Sequence, residues 1–288
     1  MSFCKLRALV INLLLPNLLA LISITTVYAQ QQAADIDFLR QPAASEQFNL
    51  SLYQDNYLLP LYYSDKPFQS YFIPQNPNGG KINQTSLQFQ FSLKYGLAEN
   101  IFSDHDDIFI AYTQRANWQA YDPSAYFSDT QYQPEVFYTI YHNWQKHGFS
   151  LNSSSFGFEH QSNGKGGIYE RSWNRVYLKF IGQYQNFSYE LKPWVRIHFP
   201  NSTDYNRDIN HYMGYGHIKL NWHMGQQLLS LTLRNQIESG FARGYQELSW
   251  KFPIYKKLQG YLLMQSGYGL TVSTYNHYDN AVGIGISF

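Results

Sequence analysis

The sequence predicts an all-β protein, a twelve-stranded antiparallel transmembrane β-barrel of the outer-membrane type. Three features of the 288-residue chain support this prediction. The chain starts with a targeting segment, it has no second long apolar run, and the rest consists of strand-length segments in which apolar and polar residues alternate. Such a chain can cross a bilayer only as a closed barrel, because every backbone hydrogen bond must be satisfied internally.

The targeting segment has the pattern of a secretory signal. Lys5 and Arg7 precede an apolar run over residues 8–24, and the residues up to Ala29 are typical of a signal-peptidase site. The alternative is a membrane anchor, which is disfavoured because Pro16 interrupts the run.

We therefore expect a signal peptide at 1–29, a flexible periplasmic segment at 30–48 and the transmembrane barrel at 49–288. The single cysteine, Cys4, lies in the first of these segments, so the mature chain has no thiol for disulfides, metal thiolates or nucleophilic catalysis. The formal net charge of +1 gives no electrostatic reason to expect a nucleic-acid partner.

The barrel region divides into about twelve strand-like segments, most of them about 10–14 residues long, which is enough for a tilted strand to cross the hydrocarbon core. The chain ends on Phe288, as C-terminal strands of outer-membrane barrels do. Short and long connections alternate, as expected between periplasmic and extracellular ends, and the moderately long periplasmic link at 98–106 is an exception. The predicted strands are 49–63, 84–97, 107–118, 134–146, 148–162, 171–183, 185–198, 211–223, 226–237, 241–252, 257–269 and 279–288.

Alternation is clearest after Asn186, where strand side chains are expected to point to opposite faces with a period of two. In an outer-membrane barrel the apolar set faces lipid and the polar set faces the lumen. The apolar set is Phe187, Tyr189, Leu191, Val195 and Ile197, and the polar set is Ser188, Glu190, Lys192, Trp194, Arg196 and His198.

The stretch HQSNG, residues 160–164, contains residue types used in nucleophilic catalysis, and Asn174 follows it closely. The same parity rule places His160, Ser162 and Asn174 together on the outer wall, at the rim of adjacent strands. Polar groups facing lipid carry a desolvation cost unless they are paired. A Ser–His–Asn triad would pair them, with histidine as base and asparagine as the orienting group. A polar aromatic-belt rim without catalysis explains the same pattern, and geometry alone leaves both open.

Several motifs resemble the outer-membrane phospholipase A family, a group of calcium-dependent lipid hydrolases. The strongest is FEHQSNGKGGIYERSWNR, which spans His160 to Asn174. The resemblance extends over essentially the whole mature chain, through AYTQRANWQ, YQPE, KPW, YMGYG and SGYG in that order. It implies phospholipase A1 and A2 activity, which is the hydrolysis of acyl esters of glycerophospholipids and lysophospholipids in the outer membrane. It also implies that Ser162 is the nucleophile, His160 the general base and Asn174 the orienting residue.

The resemblance further implies a calcium cofactor and an active homodimer, with the active site at the extracellular leaflet. The expected ligands of the calcium ion are the carbonyl oxygens of Lys165 and Glu170 and the hydroxyl of Ser124 from the partner. Asp122 could add a carboxylate. The alternative to this ligand role is that Ser124 is simply a turn residue after Pro123. Gln114, in the YTQ motif, occupies the family position of a polar dimer-interface residue. Its alternative is a lumen-facing position, which a β-bulge would produce.

Three other functions remain open from the sequence: a passive channel, an outer-membrane enzyme of another type such as a protease or a lipid A deacylase, and an inactive relative that serves as an adhesin. The charged residues that parity assigns to the lumen would fill much of a twelve-stranded barrel, which argues against a channel. The complete His160, Ser162 and Asn174 set argues against an inactive relative.

Overall fold

A computed structural model of the protein describes residues 50–199 and 203–288. The segments predicted as signal peptide, 1–29, and flexible periplasmic segment, 30–48, lie outside the described residues. In the described ranges, no helix combines the length and the apolar character that crossing a bilayer requires.

The described chain is built almost entirely of antiparallel strands that form one sheet. In chain order they are β1 (Leu50–Leu52), β2 (Tyr57–Ser64), β3 (Thr85–Glu99), β4 (Asp106–Trp118), β5 (Phe127–Lys146), β6 (Phe149–Ser162), β7 (Ser172–Tyr184), β8 (Phe187–Ile197), β9 (Gly216–Met224), β10 (Gln227–Arg234), β11 (Tyr245–Tyr255), β12 (Leu258–Tyr268) and β13 (Tyr278–Ser287).

The sheet closes on itself as a barrel of twelve strand positions. β13 pairs with β2, β2 with β3 and β3 with β4, and each later strand pairs with the next. The short strand β1 also pairs with β3, through Leu52 and Leu93, so β1 and β2 lie end to end in one position of the barrel. The predicted fold class, a closed twelve-stranded antiparallel barrel, is therefore confirmed.

The two ends of the barrel differ in their connections. At one end, two-residue turns follow β5, β7, β9 and β11, and their tightness shows in left-handed residues such as His147 (φ 51°) and Gly148 (φ 82°). At the other end the loops are longer. One contains helix α1 (Gln69–Phe72) followed by a 3-10 turn (Ile73–Gln75), and another contains helix α2 (Ile209–Met213).

The two faces of the barrel wall differ as the alternation predicted. On β8, Val195 is 67% exposed on the outer face, whereas its neighbour Trp194 is 5% exposed in the lumen. On β6 and β7, Phe156 and Leu178 face outward while Glu159 and Arg175 are buried inside.

The lumen is filled by paired charges rather than open. Glu159, at 0% exposure, contacts the Arg175 guanidinium and accepts a 2.6 Å hydrogen bond from Lys192 Nζ. Lys192 also lies 3.7 Å from Glu135, whose carboxylate accepts a 2.6 Å hydrogen bond from the Tyr177 hydroxyl. We call these five residues the lumenal network. Their burial and mutual contacts place packed charge pairs inside the barrel, as the sequence predicted.

The short segment between β1 and β2, residues 53–56, enters the lumen and contacts strands across the barrel. The Tyr53 hydroxyl donates to Glu135 at 3.2 Å, and its ring stacks on Phe137. Asp55 accepts hydrogen bonds from Lys219 at 3.3 Å and from Lys251 at 2.6 Å. The first predicted strand, 49–63, is therefore interrupted, because these side chains pair with partners that lie across the lumen.

Three predicted strand starts are wrong by several residues, those of β5, β9 and β11, and β11 begins at Tyr245 instead of residue 241. β5 begins at Phe127 instead of residue 134, because the segment before Pro134 already pairs with β4, as in Thr130 with Ala116. β9 begins at Gly216 instead of residue 211, since residues 209–213 form helix α2.

Candidate active site

Three polar side chains meet on the outer wall where β6 and β7 approach the long-loop end. His160 on β6 pairs directly with Asn174 on β7, and Ser162 lies two residues further along β6. Their lumen-facing neighbours, Gln161 and Trp173, are buried on the other face. We call Ser162, His160 and Asn174 the outer row.

The imidazole of His160 is already oriented by its partner. Its Nδ1 lies 2.8 Å from Asn174 Oδ1, an atom that can only accept a hydrogen bond. Nδ1 must then carry the proton, and Nε2 is left with its lone pair free to act as a base. The antiparallel register produces this contact, because directly opposed side chains on one face lie close together.

Ser162 shares the outer face with His160 and lies two positions further along the strand, which is about 6.6 Å of backbone. Among the described residues, no hydrogen bond joins the Ser162 hydroxyl to the ring of His160. Ser162 also pairs with Tyr132 on β5. The next glycine, Gly164, has φ 66°, and a Cβ there would lie 2.6 Å from the Tyr132 ring, so the chain after the serine is closely packed.

The inner face of the same strands holds the wall in place. Trp173 Nε1 donates to Gln161 Oε1 at 2.9 Å, and the Arg175 guanidinium lies 4.0 Å from the centroid of the Trp173 ring. The contact between Arg175 and Glu159 joins β7 to β6 in the register that pairs His160 with Asn174. A buried ionic contact thus lies directly behind the outer row.

The predicted metal ligands lie in two different loops. Lys165 and Glu170 are in the β6–β7 loop, residues 163–171, and Ser124 is exposed in the β4–β5 loop, residues 119–126. Asn78 Nδ2 donates to the Ser124 carbonyl at 2.8 Å, which ties that loop to the segment carrying α1. Asp122, the further candidate, contacts the Asn83 side chain there.

Two groups in the β6–β7 loop, the Lys165 carbonyl and the Glu170 carboxylate, suit a hard cation. The Lys165 carbonyl accepts no hydrogen bond from any described residue, and the Glu170 side chain accepts one from the Ser172 hydroxyl at 3.0 Å. The Glu170 carbonyl, by contrast, accepts a 2.6 Å hydrogen bond from the Arg171 guanidinium, which a cation at this carbonyl would have to displace. The described residues contain no cluster of three or more His, Cys, Asp or Glu side chains suited to a metal. Carbonyl and hydroxyl oxygens are ligands that calcium accepts.

Gln114 lies on the outer face of β4. Its Oε1 accepts a 2.8 Å hydrogen bond from the Tyr112 hydroxyl, whereas Thr113 between them is buried and contacts Ser92 inside. The register pairs Gln114 with Tyr132, which in turn pairs with Ser162. No irregularity of the register interrupts β4 at this residue, so the lumen-facing alternative is wrong.

Burial shifts the pKa of two groups in the loops around the site. It lowers the pKa of the Lys165 ammonium, with the charge of Asp129 opposing the shift, and it raises the pKa of the Tyr71 phenol. Lys165 Nζ donates to Gln75 Oε1 at 2.7 Å and to the Ser128 carbonyl at 3.1 Å. The ammonium group of this predicted carbonyl ligand is therefore bound by oxygen atoms of the 3-10 turn that follows α1 and of β5.

Sequence reasoning missed a group of buried polar residues behind the β6–β7 loop. Asn163, next to the serine, is 3% exposed and contacts both Tyr71 in α1 and Ser273 in the β12–β13 loop. The HQSNG motif includes Asn163, but no local pattern reveals which distant loops its side chain reaches.

The fold and the outer row together define a class: an outer-membrane β-barrel with a candidate hydrolase site on its lipid-facing wall. The chain belongs to the phospholipase A1 family, whose family model matches residues 36–288. The phospholipase A1 of Proteus vulgaris is 34% identical over 244 residues, which is 83% of this chain and 81% of that protein. The phospholipase A1 of Escherichia coli strain K12 is 32% identical over the same shares of the two chains.

Solved structures agree with this assignment. The dimer of the Salmonella typhi outer membrane phospholipase with bound calcium has a TM-score of 0.79 and 30% identity, covering 85% of this chain and 94% of its own. An active-site asparagine-to-alanine mutant of the E. coli outer membrane phospholipase A also has a TM-score of 0.79, with 28% identity over 86% of this chain and 94% of its own.

Proposed function

We propose that this protein hydrolyses the acyl esters of glycerophospholipids and lysophospholipids, at both the sn-1 and sn-2 positions, with Ser162 as nucleophile. His160 is the general base and Asn174 the orienting residue. The observation that carries this proposal is the 2.8 Å contact between His160 Nδ1 and Asn174 Oδ1 on the lipid-facing wall, beside an outward-facing serine.

In the first half of the reaction the Ser162 hydroxyl oxygen attacks the ester carbonyl carbon, and its proton passes to His160 Nε2. The carbon–oxygen bond to glycerol then breaks, and His160 returns the proton to the leaving glycerol oxygen. Water repeats the sequence on the acyl-enzyme: it gives a proton to His160, its oxygen bonds to the acyl carbon, and the serine oxygen leaves and is reprotonated. The products are a fatty acid and the deacylated lipid.

The position of the outer row suits a substrate that is dissolved in lipid. A phospholipid can present its ester to a wall at the depth where the acyl chains begin, without leaving the bilayer. The row contains no carboxylate, because asparagine replaces the aspartate of many triads. This keeps the cost of a lipid-facing polar group low, since a bare carboxylate there would be far more costly than an amide.

Calcium is the cofactor we propose, and the carbonyl oxygens of Lys165 and Glu170 would hold it close to the nucleophile. When bound, this ion would stabilise negative charge on the oxygen of the reacting ester. The free Lys165 carbonyl and the carboxylate of Glu170 support the assignment, as does the calcium in the Salmonella typhi relative. The positive charge of the Lys165 side chain is held by hydrogen bonds to Gln75 and Ser128.

We propose a homodimer as the active form, with the outer walls of β4 to β7 facing each other and the site at the extracellular leaflet. Ser124 of a second copy would complete the calcium site, which explains why it lies in a different loop from Lys165 and Glu170. Gln114 supports this interface because it is an outward-facing amide whose only hydrogen bond in the described chain is to Tyr112. An amide in that position would gain a polar partner across a dimer.

The decisive experiment measures fatty-acid release from micellar phosphatidylcholine by the refolded protein, with calcium or with a chelator, beside Ser162→Ala. Two differently labelled acyl chains separate sn-1 from sn-2 release. We expect calcium-dependent release from both positions that disappears in the variant. Release that survives Ser162→Ala would place the chemistry elsewhere, and absence of release from folded, dimeric protein with calcium would refute the proposed activity.

A further inference from the structure

We propose that Asn163 is a positioning residue, which holds the β6–β7 loop from the lumen side and so determines the geometry of the backbone after the nucleophile. The inference rests on the proposed function, because it assigns the site to Ser162. It is a separate claim about a side chain that points away from the outer row.

The side-chain oxygen of Asn163 closes the loop on itself. Oδ1 accepts hydrogen bonds from the backbone N–H groups of Lys165, at 3.2 Å, and of Arg171, at 3.0 Å. The backbone N–H of Asn163 also donates to the Arg171 carbonyl at 3.0 Å. One residue therefore joins the start of the loop to its end, and the predicted calcium carbonyls lie between these two points.

The side-chain nitrogen of Asn163 attaches the loop to the interior. Nδ2 lies 2.9 Å from the Tyr71 hydroxyl, 2.9 Å from the Tyr169 carbonyl and 3.1 Å from the Ser273 hydroxyl. Each of these oxygens gives its own proton elsewhere or has none: Tyr71 donates to Tyr169 at 2.7 Å, and Ser273 donates to Asp129 at 2.6 Å. All three are therefore acceptors for the amide nitrogen.

The amide can have only one orientation. Two backbone N–H groups on one side demand an acceptor, and the three oxygens on the other side share the two N–H bonds of the amide nitrogen. A flipped side chain would set its NH2 group against the backbone N–H groups of Lys165 and Arg171. Burial at 3% exposure leaves no bulk water to replace the lost partners. Asn163 is thus held by α1 and by the β12–β13 loop, whose Ser273 in turn donates to Asp129 on β5.

Asn163 directly follows Ser162, so the hydrogen bonds that anchor its side chain also fix the backbone next to the nucleophile. Ser162 points outward and Asn163 points inward, so the peptide between them connects the nucleophile to the interior. On its other side Gly164 is packed against the Tyr132 ring at φ 66°. The chain is fixed at both ends of this short stretch, and a shift of the Asn163 side chain moves the loop that faces the reacting ester.

The test compares Asn163→Ala with Asn56→Ala in the full protein, and includes Asn163→Asp. Asn56 is the matched control, since it is also 3% exposed and bridges backbone groups, donating to the Gln54 carbonyl at 2.8 Å and accepting from Ser92 N at 2.7 Å. It lies near the short-turn end. Asn163→Asp keeps the acceptor for the two loop N–H groups and loses the donors to the interior.

The first readout is turnover with saturating calcium. A misplacement of about 1 Å at a reacting centre costs roughly 10²-fold. We expect Asn163→Ala to lower kcat about 30- to 100-fold with KM changed less than about threefold, and Asn163→Asp to lie between this variant and the wild type. Asn56→Ala should keep kcat. If Asn163→Ala and Asn56→Ala lost equal kcat at equal loss of thermal stability, Asn163 would affect turnover only through the stability of the fold, and the inference would be wrong.

The second readout is amide hydrogen exchange of the 163–171 segment, which requires no activity. We expect Asn163→Ala to speed exchange there by at least about tenfold while Asn56→Ala leaves it unchanged. Unchanged exchange in Asn163→Ala would overturn the inference. If the wild type releases no fatty acid, the proposed function fails, and exchange still decides whether Asn163 holds this loop.

Discussion

The two faces of strands β6 and β7 use polar residues in opposite ways. On the outer face, Ser162, His160 and Asn174 include no carboxylate, ammonium or guanidinium group, and a single hydrogen bond joins His160 to Asn174. On the inner face, Glu159 and Arg175 are charged, fully packed and joined to a third charge on β8. One alternating pattern produces both sets.

This difference shows what each environment permits. Full charges are placed in the lumen, where opposite charges from other strands can reach them, and where leaving them unpaired would be costly. A lipid-facing wall offers few partners, so groups without a formal carboxylate or ammonium charge are favoured there. The inner contacts stabilise the register, and the outer row depends on that register for its geometry.

The largest effect should come from the outer row, in a variant that leaves stability intact. We expect His160→Ala to lower the rate of fatty-acid release about 10⁴-fold or more, because the serine loses the base that removes its proton. Unfolding in lipid vesicles should change by less than about 1 kcal/mol, since no charge is left unpaired. A variant that retains a tenth of the wild-type rate would contradict the role of His160.

The lumenal network should show the reverse behaviour. We expect Glu159→Ala to lower the free energy of unfolding by about 3–5 kcal/mol, because the buried charges of Arg175 and Lys192 lose their partner. The measurement is denaturant unfolding in vesicles. The control is Glu238→Ala, which removes an exposed carboxylate in a loop. Similar stability of the two variants would show that the network contributes nothing.

Asn174 lies between these extremes, since it acts on catalysis only through His160. We expect Asn174→Ala to lower kcat about 10- to 10²-fold, equivalent to about 1.4–2.7 kcal/mol of transition-state stabilisation. Asn174→Asp should restore most of the rate, because a carboxylate also accepts from Nδ1. If both variants were as inactive as His160→Ala, Asn174 would have a direct role instead of an orienting one.

The smallest effect should be seen at Gln114. We expect Gln114→Ala to weaken dimer association by about 0.6–2 kcal/mol, the range of polar contacts between membrane segments. Sedimentation equilibrium in detergent with calcium measures this. Gln246→Ala is the matched control, because it removes an exposed glutamine from β11 on another part of the barrel. An equal change in both variants would exclude a specific interface at β4.

Much of the barrel was predictable, because a membrane strand has a strict local rule. Every second residue must suit lipid, so the faces of Val195 and Trp194 follow from their positions alone, as does the shared face of His160, Ser162 and Asn174. Loop-rich parts have no such rule. The start of β9 was misplaced because residues 209–213 form a helix. The pattern of apolar and polar residues over this short stretch does not distinguish a helix from a strand.

The sequence by itself determined the strand count, the two faces of the wall and the residues of the candidate site, since each depends on period-two alternation or on a motif contained in a few residues. Only the tertiary structure decided that Asp55 crosses the lumen to Lys219 and Lys251, and that Asn163 joins Tyr71 to Ser273. These contacts join residues far apart in the chain. They exist because barrel closure brings buried polar groups together, and each such group must then find a partner within reach.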